Sequence, residues 1–297
     1  YFNPFDLTEI LLKEEEELYT GIPAFSMSFN ISDYSIKFVL VPVHSPGKLP
    51  ATGSPWELKF NDISGFDVEY KEKKSGLRPK PENMAYGGRF SGKTHWIDFS
   101  LSAYYGPDRD ILLLPELDLA NSKFWVIPRY KLITSLGFDF AIPIYSVSLK
   151  FECTYTFDKS AIVDAAKQGG SPRFEKVGYF YMVGTVEWIY DENFKIIAEY
   201  LQGVYIKNND KYLDPFFSDL IGFNIEKKLF NGSFSMQINL LFNTRDLDIL
   251  IIPLLNYNFQ NGLELEISSA VFEGKSDTLF GSYNHQDIIS AKIKYSF

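Results

Sequence analysis

The chain has 297 residues, of which 23% are charged, and a formal net charge of −9. That acidity excludes a nucleic-acid binder working through bulk positive charge, and a 45% hydrophobic content excludes a disordered chain. One Cys excludes an intrachain disulfide and a thiolate metal cluster, while the 17% aromatic share, with 27 Phe and 19 Tyr, is the unusual feature.

The first residues, YFNPFDLTEI, lack the basic and apolar regions of a secretory signal, and with no initiator Met the chain reads as a piece of a longer product. Residues 5–19, FDLTEILLKEEEELY, are either a short acidic helix capped by Thr8 or a solvated acidic surface. From residue 22 onward the period is two. Strands are expected at 22–31, 34–44, 83–91, 97–105, 128–141, 145–156, 176–190, 193–206, 216–228, 234–242, 247–258, 262–272 and 287–297. Their lengths are near the roughly 9–11 residues with which a tilted strand crosses a bilayer. Among the earlier ones, Ile97, Phe99, Leu101, Ala103 and Tyr105 alternate with Asp98, Ser100, Ser102 and Tyr104. The cleanest is 145–156, where Tyr145, Val147, Leu149, Phe151, Cys153 and Tyr155 oppose Ser146, Ser148, Lys150, Glu152, Thr154 and Thr156. The last repeats it, with Ile289, Ala291, Ile293, Tyr295 and Phe297 against Ile288, Ser290, Lys292, Lys294 and Ser296. In 36–43 and 249–255 both faces are largely apolar, which predicts a loop or plug packed on the otherwise polar side. Glu187 breaks the parity of 186–190 and predicts a bulge there.

Turn chemistry joins these strands at 32–33, 91–94, 141–144, 191–193, 231–232 and 261–262. Long polar connections lie between, at 45–82, 106–127, 157–175, 207–215 and 273–286; only 244–247 is short where a long one is due. A soluble sandwich has no reason to sort its connections so, and Greek-key strands run nearer five or six residues. An up-and-down transmembrane barrel does sort them, with short turns in the periplasm and long loops outside. The longest apolar run, 249–255, is far below the roughly 20 residues of a membrane-spanning helix. The fold class expected is therefore all-β, an antiparallel transmembrane β-barrel over 22–297 with about 13 strands, behind an extracellular segment 1–21. With the C-terminus periplasmic, the strand at 22–31 starts outside. An even-stranded barrel then needs an odd number of strands ahead of it, giving 14 or 16 in all.

Several motifs follow in order: Asn3-Pro4-Phe5-Asp6, the Glu run 14–17, GIPA at 21–24, VPV before SPG at 41–47, SPW at 54–56, PENMAYGGRFSG at 81–92, DFSLSAYYG at 98–106, LGFDF at 136–140 and a final AKIKYSF. Together they resemble a porin-like bacterial outer-membrane β-barrel family of unknown function, in Gram-negative bacteria. The resemblance implies passive transport and an N-terminal portion ahead of Asn3. It carries no agreed substrate, no catalytic motif and no site residue.

On this reading the apolar parity meets outer-membrane lipid. Tyr105, Tyr130, Phe140, Tyr145, Tyr155, Phe234, Tyr257, Tyr295 and Phe297 are candidates for aromatic girdles, the alternative being an ordinary core. The polar parity lines the pore with Lys37, Arg89, Asp98, Arg129, Lys131, Asp139, Lys150, Glu152, Glu226, Gln237, Asn239, Glu264, Glu266, Lys292 and Lys294. These serve as a cross-strand charge ladder or as a selectivity ring, with Arg89 diagonal to Asp98 and with Arg129 and Lys131 facing carboxylates across the lumen. The loop at 57–82 is long enough to fold inward. Asp108 and Asp110 in GPDRD are too few ligands for a good calcium site. His44, His95 and His285 lack metal spacing, and no GxSxG or phosphate loop is present, so neither an enzyme nor a cofactor is expected. The function expected is an outer-membrane channel passing small hydrophilic solutes through a lumen of mixed charge, with no nucleic-acid partner. The alternatives are a structural barrel holding a protein partner in its lumen, a surface adhesin, and a soluble β-sandwich or lipocalin-like binder.

Overall fold

A computed structural model of the chain describes residues 19–50, 54, 67–70, 77, 80–110, 112–118, 123–163, 173–206, 211–212, 218–259 and 262–296, with 67–70, 113–118 and 123–128 described in backbone only. The acidic segment expected as a helix at 5–19 lies almost wholly outside the described residues, as does most of the 57–82 loop. In chain order the strands are β1 (Phe25–Ile31), β2 (Tyr34–Val41), β3 (Asp67–Tyr70), β4 (Ala85–Lys93), β5 (Asp98–Pro107), β6 (Leu112–Asp118), β7 (Lys123–Arg129), β8 (Leu132–Ile144), β9 (Val147–Ile162), β10 (Phe174–Asp191), β11 (Phe194–Tyr205), β12 (Leu220–Leu229), β13 (Phe234–Asn243), β14 (Asp248–Asn258), β15 (Leu263–Glu273) and β16 (Ile288–Tyr295).

Thirteen of these form one antiparallel up-and-down sheet in the order β1-β2-β4-β5-β8-β9-β10-β11-β12-β13-β14-β15-β16. Each predicted strand has its counterpart there. The predicted loop 106–127 differs: it contains β6 and most of β7, which pair as a hairpin and join β3 in a separate three-stranded sheet, β3 parallel to β7. Residues 141–144, predicted as a turn, are the end of β8; the reversal is at Tyr145 and Ser146, with Tyr145 at φ 53. The bulge near 186–190 falls between Ile189 and Asp191, and a second register shift lies between Val177 and Tyr179. Tight reversals gather at one end of the sheet, except 244–247, which joins β13 to β14 at the other. At 230–233, Phe230, Asn231 and Gly232 take φ of 51, 54 and 83, a left-handed run that Gly and Asn tolerate best. The C-terminal strand ends at this same end, where Ser296 N donates to Gly262 O at 2.8 Å.

Among the described residues the sheet has two free edges, β1 and β16. Their pairings with β2 and β15 make both run from the long-connection end to the short-turn end, so the two edges point the same way.

Register sorts the side chains. One face carries Phe25, Met27 and Phe29 on β1, Leu101 and Tyr105 on β5, Leu136 and Phe138 on β8, Phe223, Met236 and Ile238 on β12 and β13, and Ile289 and Ile293 on β16, all exposed. Phe25 is 71% and Ile289 84% exposed, so among the described residues no second layer covers this face at either edge. The buried hydrophobics form three clusters on the opposite face, all toward the long-connection end. The first joins Val41, Ala85, Tyr104 and Ile133; the second Ala161, Val163, Val177, Tyr179, Tyr205 and Tyr212; the third Leu220, Leu250, Ala270, Phe272, Phe280 and Tyr283. The first and third explain why 36–43 and 249–255 are apolar on both faces: Val39 and Val41 pack in the first, Leu250 and Ile252 in the third.

The third cluster exists because the 274–287 connection folds back over the strands. Asp248, wholly buried, accepts hydrogen bonds from Phe280 N (2.6 Å) and Gly281 N (3.4 Å), and Asp287 accepts one from Phe272 N (3.1 Å). Gly281 lies so close to Lys275 that a Cβ would sit 2.0 Å from its carbonyl oxygen. Phe280→Ala should therefore cost about 3–5 kcal/mol locally. Expected are faster amide exchange at Phe280 and Gly281 and new protease cleavage in 274–287, with the β13 amides still protected. Uniform loss of protection would contradict a locally held loop.

Candidate functional site

The face opposite the apolar one holds the chemistry. Arg89 on β4 reaches across β5: its Nε donates to Ser100 Oγ at 2.8 Å, and its guanidinium grips both oxygens of Asp139 on β8 at 3.0 and 3.2 Å. Ser100 Oγ in turn donates to Asp139. Lys150 on β9 pairs with Glu187 on β10 at 2.7 Å, and Lys195 on β11 with Glu226 on β12 at 3.3 Å. Lys228 meets the same Glu226 at 3.4 Å. Amides continue the row, Asn224 and Gln237 both donating to Asn239 Oδ1, and Asn256 to Glu264. Lys294 on β16 lies 3.7 Å from Glu266 on β15. Most links cross between strands, so the row braces the sheet sideways; with the lysines and Arg89 partly exposed, each ion pair contributes about 0–1 kcal/mol.

These groups occupy the half of the face nearer the short turns, and the three apolar clusters the other half. Between β1 and β9 the charged half has an open hollow of about 490 Å³, whose lining includes Asn30, Ser35, Arg89, Asp98, Asp139 and Glu152.

Of the residues expected on the polar parity, Lys37, Arg89, Asp98, Asp139, Lys150, Glu152, Glu226, Gln237, Asn239, Glu264, Glu266, Lys292 and Lys294 share this face. Two do not. Arg129 ends β7 in the small sheet, opposite Leu112, and Lys131 lies in the link between β7 and β8, its ammonium 5.9 Å from the Phe174 ring centroid. Neither is on a strand of the large sheet, so the proposed opposition of this pair to carboxylates across a lumen fails. Arg89 does not serve Asp98, which lies 3.8 Å from Lys93. Glu187, Lys195, Glu199 and Lys228 also belong to the face; the parity of 193–206 was enough to find Lys195 and Glu199.

Among the aromatic candidates, Tyr105, Phe140, Tyr155, Phe234, Tyr257 and Tyr295 stand on the apolar face, and Tyr145 is fully exposed in its turn. Phe297 lies outside the described residues. Tyr130 is a correction. It is buried among connections, accepting a hydrogen bond from Gly47 N at 2.9 Å, with the His44 ring edge-on 4.4 Å away. Aromatics passed over in the sequence, Trp96, Tyr190, Phe230 and Phe259, stand exposed at the short-turn end.

Asp108 and Asp110 do not await a cation. Lys159 of β9 supplies one, its ammonium 2.8 Å from Asp108 and 2.5 Å from Asp110, which ties the chain leaving β5 to the wall two strands away. Near Asp108, His44 helps line a cavity of about 20 Å³, large enough for one water. Scanned against protein-family models the chain matches none, and no curated protein matches it.

Burial lowers the His44 pKa from 6.5 to about 4. Above 6.5 the ring is neutral whether the segment is folded or not, and the contact keeps its full stability. Between 6.5 and about 4 the unfolded segment takes a proton that the folded one refuses, so stability falls as pH falls. Protection of the Gly47 amide, corrected for intrinsic exchange, should therefore weaken from about pH 7 to about pH 4, and His44→Gln should flatten that response. An unchanged slope in the variant would remove His44 as its source.

Proposed function

We propose that the chain forms most of a transmembrane β-barrel of the bacterial outer membrane, with lipid against its apolar face and a passage for small hydrophilic solutes along its polar face. The observation that carries this reading is the exposure of apolar side chains on one face of a thirteen-stranded sheet, with the ionic network on the other. Water does not tolerate an apolar surface of that extent on a monomeric protein. Hydrocarbon does, provided the backbone polar groups are paired, which the neighbour-to-neighbour ladder achieves along the interior strands, with a gap in β14 at Ile252 and Pro253, and leaves undone at the edges β1 and β16. Because those edges run the same way, an antiparallel closure takes an odd number of bridging strands, and with one of them the barrel has an even total. Short turns and the C-terminus then face the periplasm, long connections face outward, and the exposed aromatics at the short turns meet the headgroups.

A barrel sealed by its own connections is the second reading, favoured by Phe280 and its cluster. The three apolar clusters are separate and each belongs to different strands, which supports a narrowed outer mouth over a single plug.

Reconstituted into planar bilayers, the protein should give ohmic single-channel steps; a protein that remains in solution without detergent and gives no steps would sink the reading. Ile238→Lys, at mid-strand on the apolar face, should cost about 2–4 kcal/mol of stability in bilayers. Gln237→Lys, its neighbour on the other face, should be tolerated. Equal costs would show that the two faces do not differ in solvent.

A further inference from the structure

One connection reaches well past the strands it joins. The 274–287 segment links β15 to β16, yet its Phe280 and Tyr283 are buried in one cluster with Leu220 of β12, Leu250 of β14 and Phe272 of β15, and its Leu279 and Leu241 of β13 pack against that cluster. It therefore lies as a strap across β12 to β15, on the polar face at the long-connection end. Its underside is apolar, while Lys275, Ser276, Asp277 and His285 are exposed. Among the connections described throughout, it is the one that covers several strands.

The strap lies where the rim is low. The 244–247 connection between β13 and β14 is the short one at this end, and its own hydrogen bonds stiffen it. Asn243 Oδ1 accepts from Arg245 N at 3.0 Å and Asp246 N at 3.3 Å, Thr244 Oγ1 donates to Asp219 O at 3.0 Å, and Arg245 pairs with Asp219. Asp248 follows directly, so its position is fixed from the β13 side. Its carboxylate holds the amides of Phe280 and Gly281, and a Cβ on Gly274 would collide with its own Cβ. Asn284 Nδ2 donates to Gly274 O at 2.5 Å, which closes the strap on itself. The short turn leaves room for the strap, and the residue after that turn grips it.

We infer that this strap sets the bore of the channel and that Asp248 is the positioning residue that holds it there. The inference rests on the channel reading and adds what limits the size of the permeant. A layer packed on a sheet stands about 10 Å from it. The strap takes a depth of that order from the lumen whatever number of strands closes the tube.

The test uses the full-length protein in planar bilayers. It reads single-channel conductance and the largest polyethylene glycol that still enters the pore and lowers it. Chymotrypsin cleavage beside Leu279 or Tyr283, both shielded in the held strap, reports release. Asp248→Ala should expose the strap to cleavage, raise the conductance and admit larger polymers. Asp248→Asn, which keeps an acceptor oxygen for the two amides, should move all three readouts less. Phe280→Ala takes the buried ring from the strap without altering a strand; it should act like Asp248→Ala, and it serves as the test if Asp248→Ala does not insert. Steps from the variants alone would also support the inference, the strap then closing the bore. A cleaved strap with conductance and polymer limit unchanged overturns the strap as the limit of the bore, and a strap that resists cleavage in Asp248→Ala overturns Asp248 as its hold; both leave the channel standing. No steps from wild type or variants overturn the channel reading, and the strap's role with it.

Discussion

Backbone pairing between sequential neighbours is the constraint on which the rest depends. Each of thirteen strands hydrogen-bonds to the next in chain order, antiparallel throughout, so the interior strands have paired backbones before any side chain is considered. This frees both faces from the need to pack on a second layer. A sandwich must bury one face of each sheet against another sheet. Here the buried hydrophobics lie in clusters at one end of the polar face, while Ile289 and Ile293 on the apolar face are exposed. The residue alternation then separates the faces: one parity exposes apolar side chains, the other carries the ions and amides.

Along its length the polar face divides into two zones with different work. Toward the short turns, paired ions and amides brace strand to strand and keep a hydrated surface. Toward the long connections, returning segments are tied down by buried contacts: Asp248 on the 280–281 amides, and Lys159 on Asp108 and Asp110. The ammonium of Lys159 is nearly enclosed, and such an ion is tolerated only with its partners close by. Charges in the first zone are only partly buried and individually weak in stability. Those in the second are anchors.

The strand pattern was legible because a strand with unlike solvents on its two faces must alternate, and 145–156 or 287–297 do so plainly. The failures have local causes. Residues 112–129 contain Pro115 and Pro128, which argue against interior strands, and their strands pair outside the large sheet, away from its two-faced alternation. Tyr130 reads in sequence like any aromatic at a strand end; that it turns inward onto His44 and Gly47 depends on a fold-back of the 45–50 segment that no local signal encodes. Arg89 was expected to serve Asp98 within its own hairpin, but it spans two strands to Asp139, and such reach depends on register between segments some 50 residues apart. Conversely, the double-sided apolarity of 249–255 did signal a covering segment, because an inward leucine on a polar face needs one.

The central claim, that alternate residues of one strand meet hydrocarbon and water, is tested most directly by a nitroxide scan from Val147 to Thr156 in reconstituted bilayers. Lipid-soluble oxygen should reach the odd positions and a water-soluble nickel chelate the even ones, with a period of two across the whole scan. Odd positions shielded from both reagents, as in a core between two layers, would contradict it.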